Sequence, residues 1–493
     1  MNRSFSPRRW GFACFVGCYG LSLFALGVPV AAADPMTDTF QPDFFNTNGA
    51  LRRRTTGLSD PLGQSCELPP EPLSVSKAID VALCRNPNTR AAWAAAHQQA
   101  AALGAAQSTW LPDISANGDV QRTFGPHQND SGTITSTDQT TRDAAVNLTW
   151  TLYDFGNREA RIRSARHLLD AAAATASSMS QQTISAVVQG YFGVVAADDG
   201  LIAAQTTETV ARRSWDIAKA LREGGIATLG DVLQAETAYE ESQLTRVQAA
   251  QAAQTSRGTL SVAMGLPANQ PVKLAADPVP AQVPGLFARM EDLMAEATRQ
   301  RPDLAAARAA VDAAVADISV ARAAGRPVIS VGAGHTYLDQ TAIAGSIGPN
   351  SQHYNQVGVN VTIPIFSGFS VSYGVRQAQA ALQSKQADAD QIRLNVSLDV
   401  WNAYYALDSA NQQLSTTATL VKTAESNQDV AVGRYQSGVG TIIDLLTAQT
   451  AAATARQLRI NSELNWRVAR AQLALALGRL SSAQPLEDGS PLP

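Results

Sequence analysis

The sequence predicts a membrane protein of mixed α and β structure, duplicated within the chain. Four strands per chain contribute to a barrel, and long helical hairpins continue it. Three observations predict this. The first is the duplication itself. Asn86-Pro87 returns as Arg301-Pro302 and Pro112 as Pro327, 215 residues on, while Asn147-Leu148-Thr149 returns as Asn360-Val361-Thr362, Asp231-Val232-Leu233 as Asp444-Leu445-Leu446 and Gly265 as Gly478, 213 residues on. A period this long is a domain-scale repeat rather than a solenoid of short units. The second is a pair of segments in each copy with two-residue periodicity. The third is a proline-free run in each copy, too long for a helix inside an ordinary domain.

In chain order, Arg3, Arg8 and Arg9 precede an apolar stretch from Trp10 to Val30 that ends in Ala31-Ala32-Ala33. That is the plan of a secretory signal peptide over residues 1–33. The residues flanking Arg8-Arg9 fit a twin-arginine signal poorly, and the apolar run continues well past Cys18, which argues against lipidation there. An N-terminal extended segment over 34–72 follows. No later apolar run approaches the roughly 20 residues a spanning helix needs, so any membrane role falls to strands or surface contact. Cys66 and Cys84 remain after export to an oxidising compartment. Two free thiols are the alternative to a bridge, and pairing is the expectation. A bridge pins the N-terminal segment to the first helix.

The first repeat, 73–265, opens with an alanine-rich helical segment from Leu73 to Trp110, stopped by Pro112. A strand hairpin over about 113–152 follows. Ile114, Ala116, Val120 and Phe124 alternate with Ser115, Asn117, Asp119, Gln121 and Thr123, and Val146, Leu148, Trp150 and Leu152 with Asn147, Thr149 and Thr151. Strands of about ten residues with one apolar and one polar face mark outer-membrane barrels. About 70 residues then run from Asp154 to a break at Gly224-Gly225 and Gly230, which would span on the order of 100 Å as helix. The chain therefore goes out and returns as a helical hairpin with its turn at about 224–230.

A proline-rich linker over 266–285 leads to the second repeat, 286–479. This has a helical segment from Leu286 to Gly325, a strand hairpin at about 327–366, and a helical-hairpin turn at about 437–443. A tail over 480–493 reads as irregular. Four strands cannot close a barrel, and an open edge in lipid leaves backbone groups unsatisfied at several kcal/mol each. Several chains must therefore assemble. Two supply eight strands and three supply twelve, with room for a pore, and periodicity alone does not choose between them.

Lysine and arginine total 38 against 42 acidic residues, with no basic block beyond Arg52-Arg53-Arg54, which speaks against a nucleic-acid partner. His97, His127, His167, His335 and His353 show no metal-ligand spacing, and neither a phosphate-cradling glycine loop nor a Gly-x-Ser-x-Gly elbow is present. The expectation is no catalytic residue, no metal and no cofactor.

The order of signal, helix, strand hairpin and long helical hairpin, all repeated, resembles the TolC-like outer membrane factors of Gram-negative bacteria. The paired turns Gly225-Ile226-Ala227-Thr228 through Leu233 and Arg434-Tyr435-Gln436-Ser437-Gly438 through Leu446 carry the resemblance, with the strand exits Leu152-Tyr153-Asp154-Phe155-Gly156 and Ile365-Phe366-Ser367-Gly368. It implies a homotrimer with a twelve-strand outer-membrane β-barrel, a coiled-coil periplasmic tunnel, and docking to a periplasmic adaptor and an inner-membrane pump. The head, Cys66-Glu67-Leu68 through Ala82-Leu83-Cys84-Arg85-Asn86-Pro87, is similar to the branch serving type I toxin secretion. That tilts the cargo towards a secreted protein and the pump towards an ABC exporter, with small-molecule efflux by a proton-driven pump as the alternative. A non-conducting adhesin or coiled-coil spacer is a third reading.

Thr228 and Thr441 each follow a glycine, Gly225 or Gly438, and stand three residues before Asp231 or Asp444. Local chemistry accounts for both pairs as helix caps with an acid near the positive end of the dipole. The resemblance adds that Asp444 matches a carboxylate ring at the tunnel's periplasmic constriction, and that Asp231 matches an entrance-lock residue bonded to the position of Tyr435. The chain departs from the pattern at Gly440, where an arginine is expected, and at Thr447, where a second acid is expected. Trp150, Tyr153, Tyr337 and Tyr354, near strand ends, read either as an interfacial aromatic girdle or as ordinary packing.

Overall fold

Pro87 and Pro302 break what the alanine pattern reads as single helices. In the computed structural model, which describes residues 43–55, 60–62, 66, 72–128, 132, 134–270, 272–275, 289–341 and 350–480, each expected segment is two helices. They are α2 (Val75–Arg85) and α3 (Pro87–Ser108), then α6 (Met290–Gln300) and α7 (Pro302–Ala323). Proline disfavours helical backbone in the residue before it yet suits the first helical position. Asn86 (ψ 126°) and Arg301 (ψ 122°) are accordingly extended, and each proline opens the following helix.

A second departure lies in the segment expected to be extended. Thr47–Arg54 is a helix, α1. The Asp43 carboxylate accepts from the Thr47 N–H (2.7 Å), the Thr47 hydroxyl (2.9 Å) and the Asn48 N–H (2.9 Å), and Ala50 and Leu51 bury against Ala96, Ala100 and Leu169. Eight residues are too few for their periodicity to show in sequence. The expected signal peptide, the tail beyond Leu480 and much of the linker lie outside the described residues. The linker residues that are described do more than connect, since Leu274 bridges Leu73 in parallel and the Tyr191 hydroxyl donates to the carbonyls of Leu73 and Ala275.

The strands β1 (Asp113–Gln128), β2 (Ile134–Tyr153), β3 (Val328–Thr341) and β4 (Asn350–Thr362) form one antiparallel sheet in chain order, which leaves β1 and β4 as its edges. The register places Ile114 opposite Leu148, Leu148 opposite Ala333 and Ala333 opposite Val357, so the apolar residues share one face. That face is exposed on the chain, as a lipid-facing wall requires. From Ile329 to Tyr337 it rises about 20 Å at ordinary strand rise and barrel tilt.

All four strands are longer than about ten residues. Beyond the apolar band the ladder continues through ion pairs, Arg142 with Asp339 (3.5 Å) and Arg122 with Asp138 (2.9 Å). Tyr354 departs from the girdle reading, because it stands opposite Thr336 in the polar phase, whereas Tyr337 stands in the apolar phase opposite His353.

Below the sheet the two repeats match in length. Helices α4 (Asn157–Glu223) and α8 (Ser370–Gln436) each have 67 residues, and α5 (Leu229–Ala263) and α9 (Ile442–Ala476) each have 35. Among the described residues α4 is the one helix apolar enough, by length and composition, to cross a membrane. Its Ile184, Val187 and Val188 are instead buried in a core shared with α2 and the end of α9.

Each repeat closes on its own beginning. Gly265 (φ 76° counterpart Gly478) sits at φ 74°, and a Cβ there would lie 2.8 Å from the Arg85 carbonyl group; a Cβ at Gly478 would lie 2.9 Å from the Gln300 carbonyl oxygen. Only glycine meets both the positive φ and the close approach.

Candidate functional site

The far ends of the two hairpins are built alike. Chain reversal after α4 passes through Gly225 (φ 76°), with the Ile226 N–H bonded to the Leu221 carbonyl at 2.8 Å; after α8 it passes through Gly438 (φ 73°), with the Val439 N–H bonded to the Arg434 carbonyl at 3.1 Å. Helices α5 and α9 then open with capping boxes. The Thr228 hydroxyl accepts from the Asp231 N–H (3.2 Å) and the Asp231 carboxylate from the Thr228 N–H (2.8 Å), with Thr441 and Asp444 repeating the pair at 3.1 and 3.4 Å. The structure thus places all four residues as caps. Asp444 is exposed, and its carboxyl is held below the ordinary carboxylate range, first by the Thr441 hydroxyl, then by its backbone N–H, with the Arg434 charge adding to the effect.

The two tips adjoin. A Cβ at Gly438 would stand 3.6 Å from Ile226 Cγ2, and Tyr435 is buried with Ala218, Val232, Ala235, Ile442 and Leu445 from both hairpins. The lock bond between Asp231 and Tyr435 is not made in the single chain. The Asp231 carboxylate is engaged by its own cap, and the Tyr435 hydroxyl, on a residue 4% exposed, has no hydrogen-bond partner among the described residues. Burial pushes that phenol above its usual pKa, and the nearby Asp231 charge pushes it further.

Where the family pattern has arginine, Gly440 rests on backbone. A Cβ there would lie 3.2 Å from Arg434 Cβ and from the Tyr435 nitrogen, so a side chain at this position requires the turn to give by a few tenths of an ångström. Thr447 shares the exposed face of Asp444 one turn on. Above the tips, the Gln449 side chain donates to the Ser214 hydroxyl at 2.5 Å, fastening α9 to α4.

At the opposite end, where sheet meets helix, is a cluster that sequence reasoning missed. Arg158, 6% exposed, pairs with Asp154 at 3.2 Å, donates to the carbonyls of Thr151 (2.7 Å), Leu152 (3.0 Å) and Thr109 (3.3 Å), and lies 4.1 Å over the Trp110 ring. Its sequence signal was an Asp-x-x-x-Arg pair just after a strand exit. Among the girdle candidates, Trp150 donates to the Trp110 carbonyl (2.9 Å), and Tyr153 stacks edge-on against Phe155.

Cys66 and Cys84 are joined as a disulfide with Cα atoms 6.0 Å apart, within the ordinary range. Arg85 reinforces the junction by donating to the Cys66 carbonyl from two nitrogens, at 2.8 and 2.6 Å. Among the described residues no group of three or more His, Cys, Asp or Glu is placed to hold a metal.

Comparison with known proteins places this architecture. The family described as "Outer membrane efflux protein" matches residues 78–266 and 293–479, nearly the whole of both repeats. Protein CyaE of Bordetella pertussis is 30% identical over 427 residues, covering 85% of this chain and 86% of that one. The "Probable efflux pump outer membrane protein TtgC" of Pseudomonas putida is 27% identical over 276 residues, 54% of each chain. Among solved structures, the outer-membrane channel OprN aligns with a TM-score of 0.71 at 21% identity, covering 82% of this chain and 89% of that one.

Proposed function

The chain belongs to the outer membrane efflux protein family, and on that premise we propose that it is the passive outer-membrane duct of a tripartite export system. Three copies form a twelve-strand barrel, and the cargo is a secreted protein handed over by an inner-membrane ABC exporter through a periplasmic adaptor. The observation that carries this reading is the join of a sheet with two free edges and an exposed apolar face to helices of 67 residues. The free edges demand partner copies in lipid, and the helices reach on the order of 100 Å from the barrel. The duct needs no energy source of its own, because its partners supply it.

The protein cargo rests on the likeness of the head, Cys66 through Pro87, to the type I secretion branch. The match to a protein named as an efflux pump component favours small-molecule efflux, with a proton-driven pump, as the second reading. At the periplasmic entrance, three copies of Asp444 form a carboxylate ring that attracts cations. Tyr435 meets Asp231 when the assembled entrance is shut, which gives its buried hydroxyl the partner that the single chain lacks.

Two experiments test the reading. Purified protein in planar bilayers should conduct, and conduct more with the entrance mutated; no channel under either condition leaves only the spacer or adhesin alternative. Deleting the gene should abolish secretion of a large protein into the medium while leaving drug susceptibility unchanged, and the reverse outcome selects efflux.

A further inference from the structure

Within one chain, α4 packs against both α5 and α9, and α8 packs against α9, so α5 and α8 are the outer members of the row. The face of α8 turned to its own chain carries Val396, Val400, Ala403 and Leu407, buried at steps of four and three. Two positions along a helix is a rotation of about 200°. Leu394, Leu398, Trp401 and Tyr405, each two positions before one of those residues, therefore form the opposite face. They are exposed on the chain, Trp401 by 48% and Tyr405 by 49%, and the two rings touch at 4.9 Å between centroids.

Helix α5 repeats the arrangement. Ala235, Ser242 and Leu260 are buried against its own chain, whereas Leu233, Leu244 and Val262, two positions away, are exposed, Val262 by 59%. In a ring of helices the lumen and the exterior lie at right angles to the row. A face opposite the intrachain partner therefore looks along the ring, at the next helix.

The heights also agree. A Cβ at Gly190 of α4 would lie 3.4 Å from Leu260 of α5, so Leu260 stands at the level of position 190. By the 213-residue correspondence of α4 with α8, that is the level of Ala403. Val262, two residues nearer the barrel on the returning helix, is level with Trp401. A threefold rotation leaves height along the axis unchanged, so the level within one chain is the level in the next. The same correspondence sets Leu233 beside Val430, also exposed and apolar. Between these two points the outward face of α8 turns polar at Asp408 and Gln412.

We infer that Val262 of each protomer packs onto the paired rings of Trp401 and Tyr405 of the neighbouring copy, and that this equatorial clasp is the principal apolar contact holding the helical tunnel together. It is continuous with the joining of β4 to the neighbour's β1 above it, and it rests on the trimeric reading. Burying Trp and Tyr rings in this way is where interface energy concentrates, and exposed to periplasmic water they form the kind of patch that marks an interaction site. The polar stretch below leaves the tunnel freer to part towards its entrance.

The test uses two full-length chains with different tags, expressed together, one carrying Val262→Cys and the other Tyr405→Cys. Mild oxidation should link the two tags in most mixed trimers. Ala387→Cys in place of Tyr405→Cys lies on the same face of α8 but about 27 Å higher at 1.5 Å per residue, and should link at least tenfold less. A protein that is trimeric by native mass yet forms no Val262–Tyr405 link, or links Ala387 equally well, overturns the clasp alone. A protein that is monomeric in detergent and in membranes overturns the duct reading with it.

Discussion

The two strand-to-helix junctions of the chain occupy matching places in the repeats and are built on different chemistry. In the first, the Trp110 ring covers the Arg158 guanidinium, which gathers three carbonyls and Asp154. In the second, the counterparts of Trp110 and Arg158 are Gly325 and Val371, and a Cβ at Gly325 would lie 3.2 Å from Val371. Both junctions turn through two successive left-handed residues, but in swapped order, Phe155 then Gly156 and Gly368 then Phe369. The distal tips, by contrast, keep the same glycine, threonine and aspartate. The difference follows from neighbours. Each tip must cap its own helix, a local task. The first junction follows the inner strand β2, and its Leu152 and Phe155 are 42% and 37% exposed, whereas the second follows the edge strand β4, and Ile365 and Phe369 are 95% and 66% exposed on the chain.

The sharpest way to break this comparison is Arg158→Met. It strands Asp154 and three carbonyls in a buried site, so the loss should be about 3–5 kcal/mol, read as a lowered melting transition. Val371→Met, at the matching place, should cost under about 1.5 kcal/mol. Equal effects would show that the junctions are not specialised.

Next in size are Gly265→Ala and Gly478→Ala, which should each cost about 2–4 kcal/mol, since the strain of positive φ adds to a backbone clash. Matching losses confirm that both repeats close by the same device, and a loss at one alone separates them. The disulfide has no counterpart in the second repeat. Replacing both Cys66 and Cys84 with Ala should cost about 3 kcal/mol by the loop-entropy estimate for a separation of 18 residues. Non-reducing mass mapping that found both thiols free would refute the bridge itself.

Smaller effects belong to the tips. Thr228→Ala and Thr441→Ala should each cost about 1 kcal/mol. The folded Asp444 carboxyl lies below its unfolded value, so its contribution is present above about pH 4 and is lost as pH falls through the lowered folded value. In Asp444→Asn that slope of stability with pH should vanish.

The smallest change in stability, and the largest in function, is expected from Asp444→Asn beside Asp231→Asn. The first should lower cation preference and multivalent-cation block in single-channel recordings, and the second should raise conductance without changing the preferred ion. If Asp444→Asn lowers trimer stability and leaves selectivity as it was, Asp444 is a cap and nothing more.

Several features were legible because their causes are local. Alternation at Ile114–Phe124 and Val146–Leu152 fixes which face of each strand is apolar, and the glycine, threonine and aspartate of each tip fix a turn and a cap within seven residues. The two-helix break at Pro87 is equally local in cause, but the alanine pattern runs through it and masks it. Tyr354 shows the limit of position without phase: it lies near a strand end, but its pairing with Thr336 turns it away from the apolar face.

By itself the sequence determined the duplication, the secondary elements with their apolar faces, and the need for partner chains. Each of these follows from residue spacing or from backbone hydrogen bonding in lipid. Only the tertiary structure decided that Arg158 meets carbonyls up to 49 residues away, that Gly265 and Gly478 close their repeats against Arg85 and Gln300, and that the Tyr435 hydroxyl is buried without a partner among the described residues. Spacing along the chain carries no information about contacts between separate elements, because packing sets them.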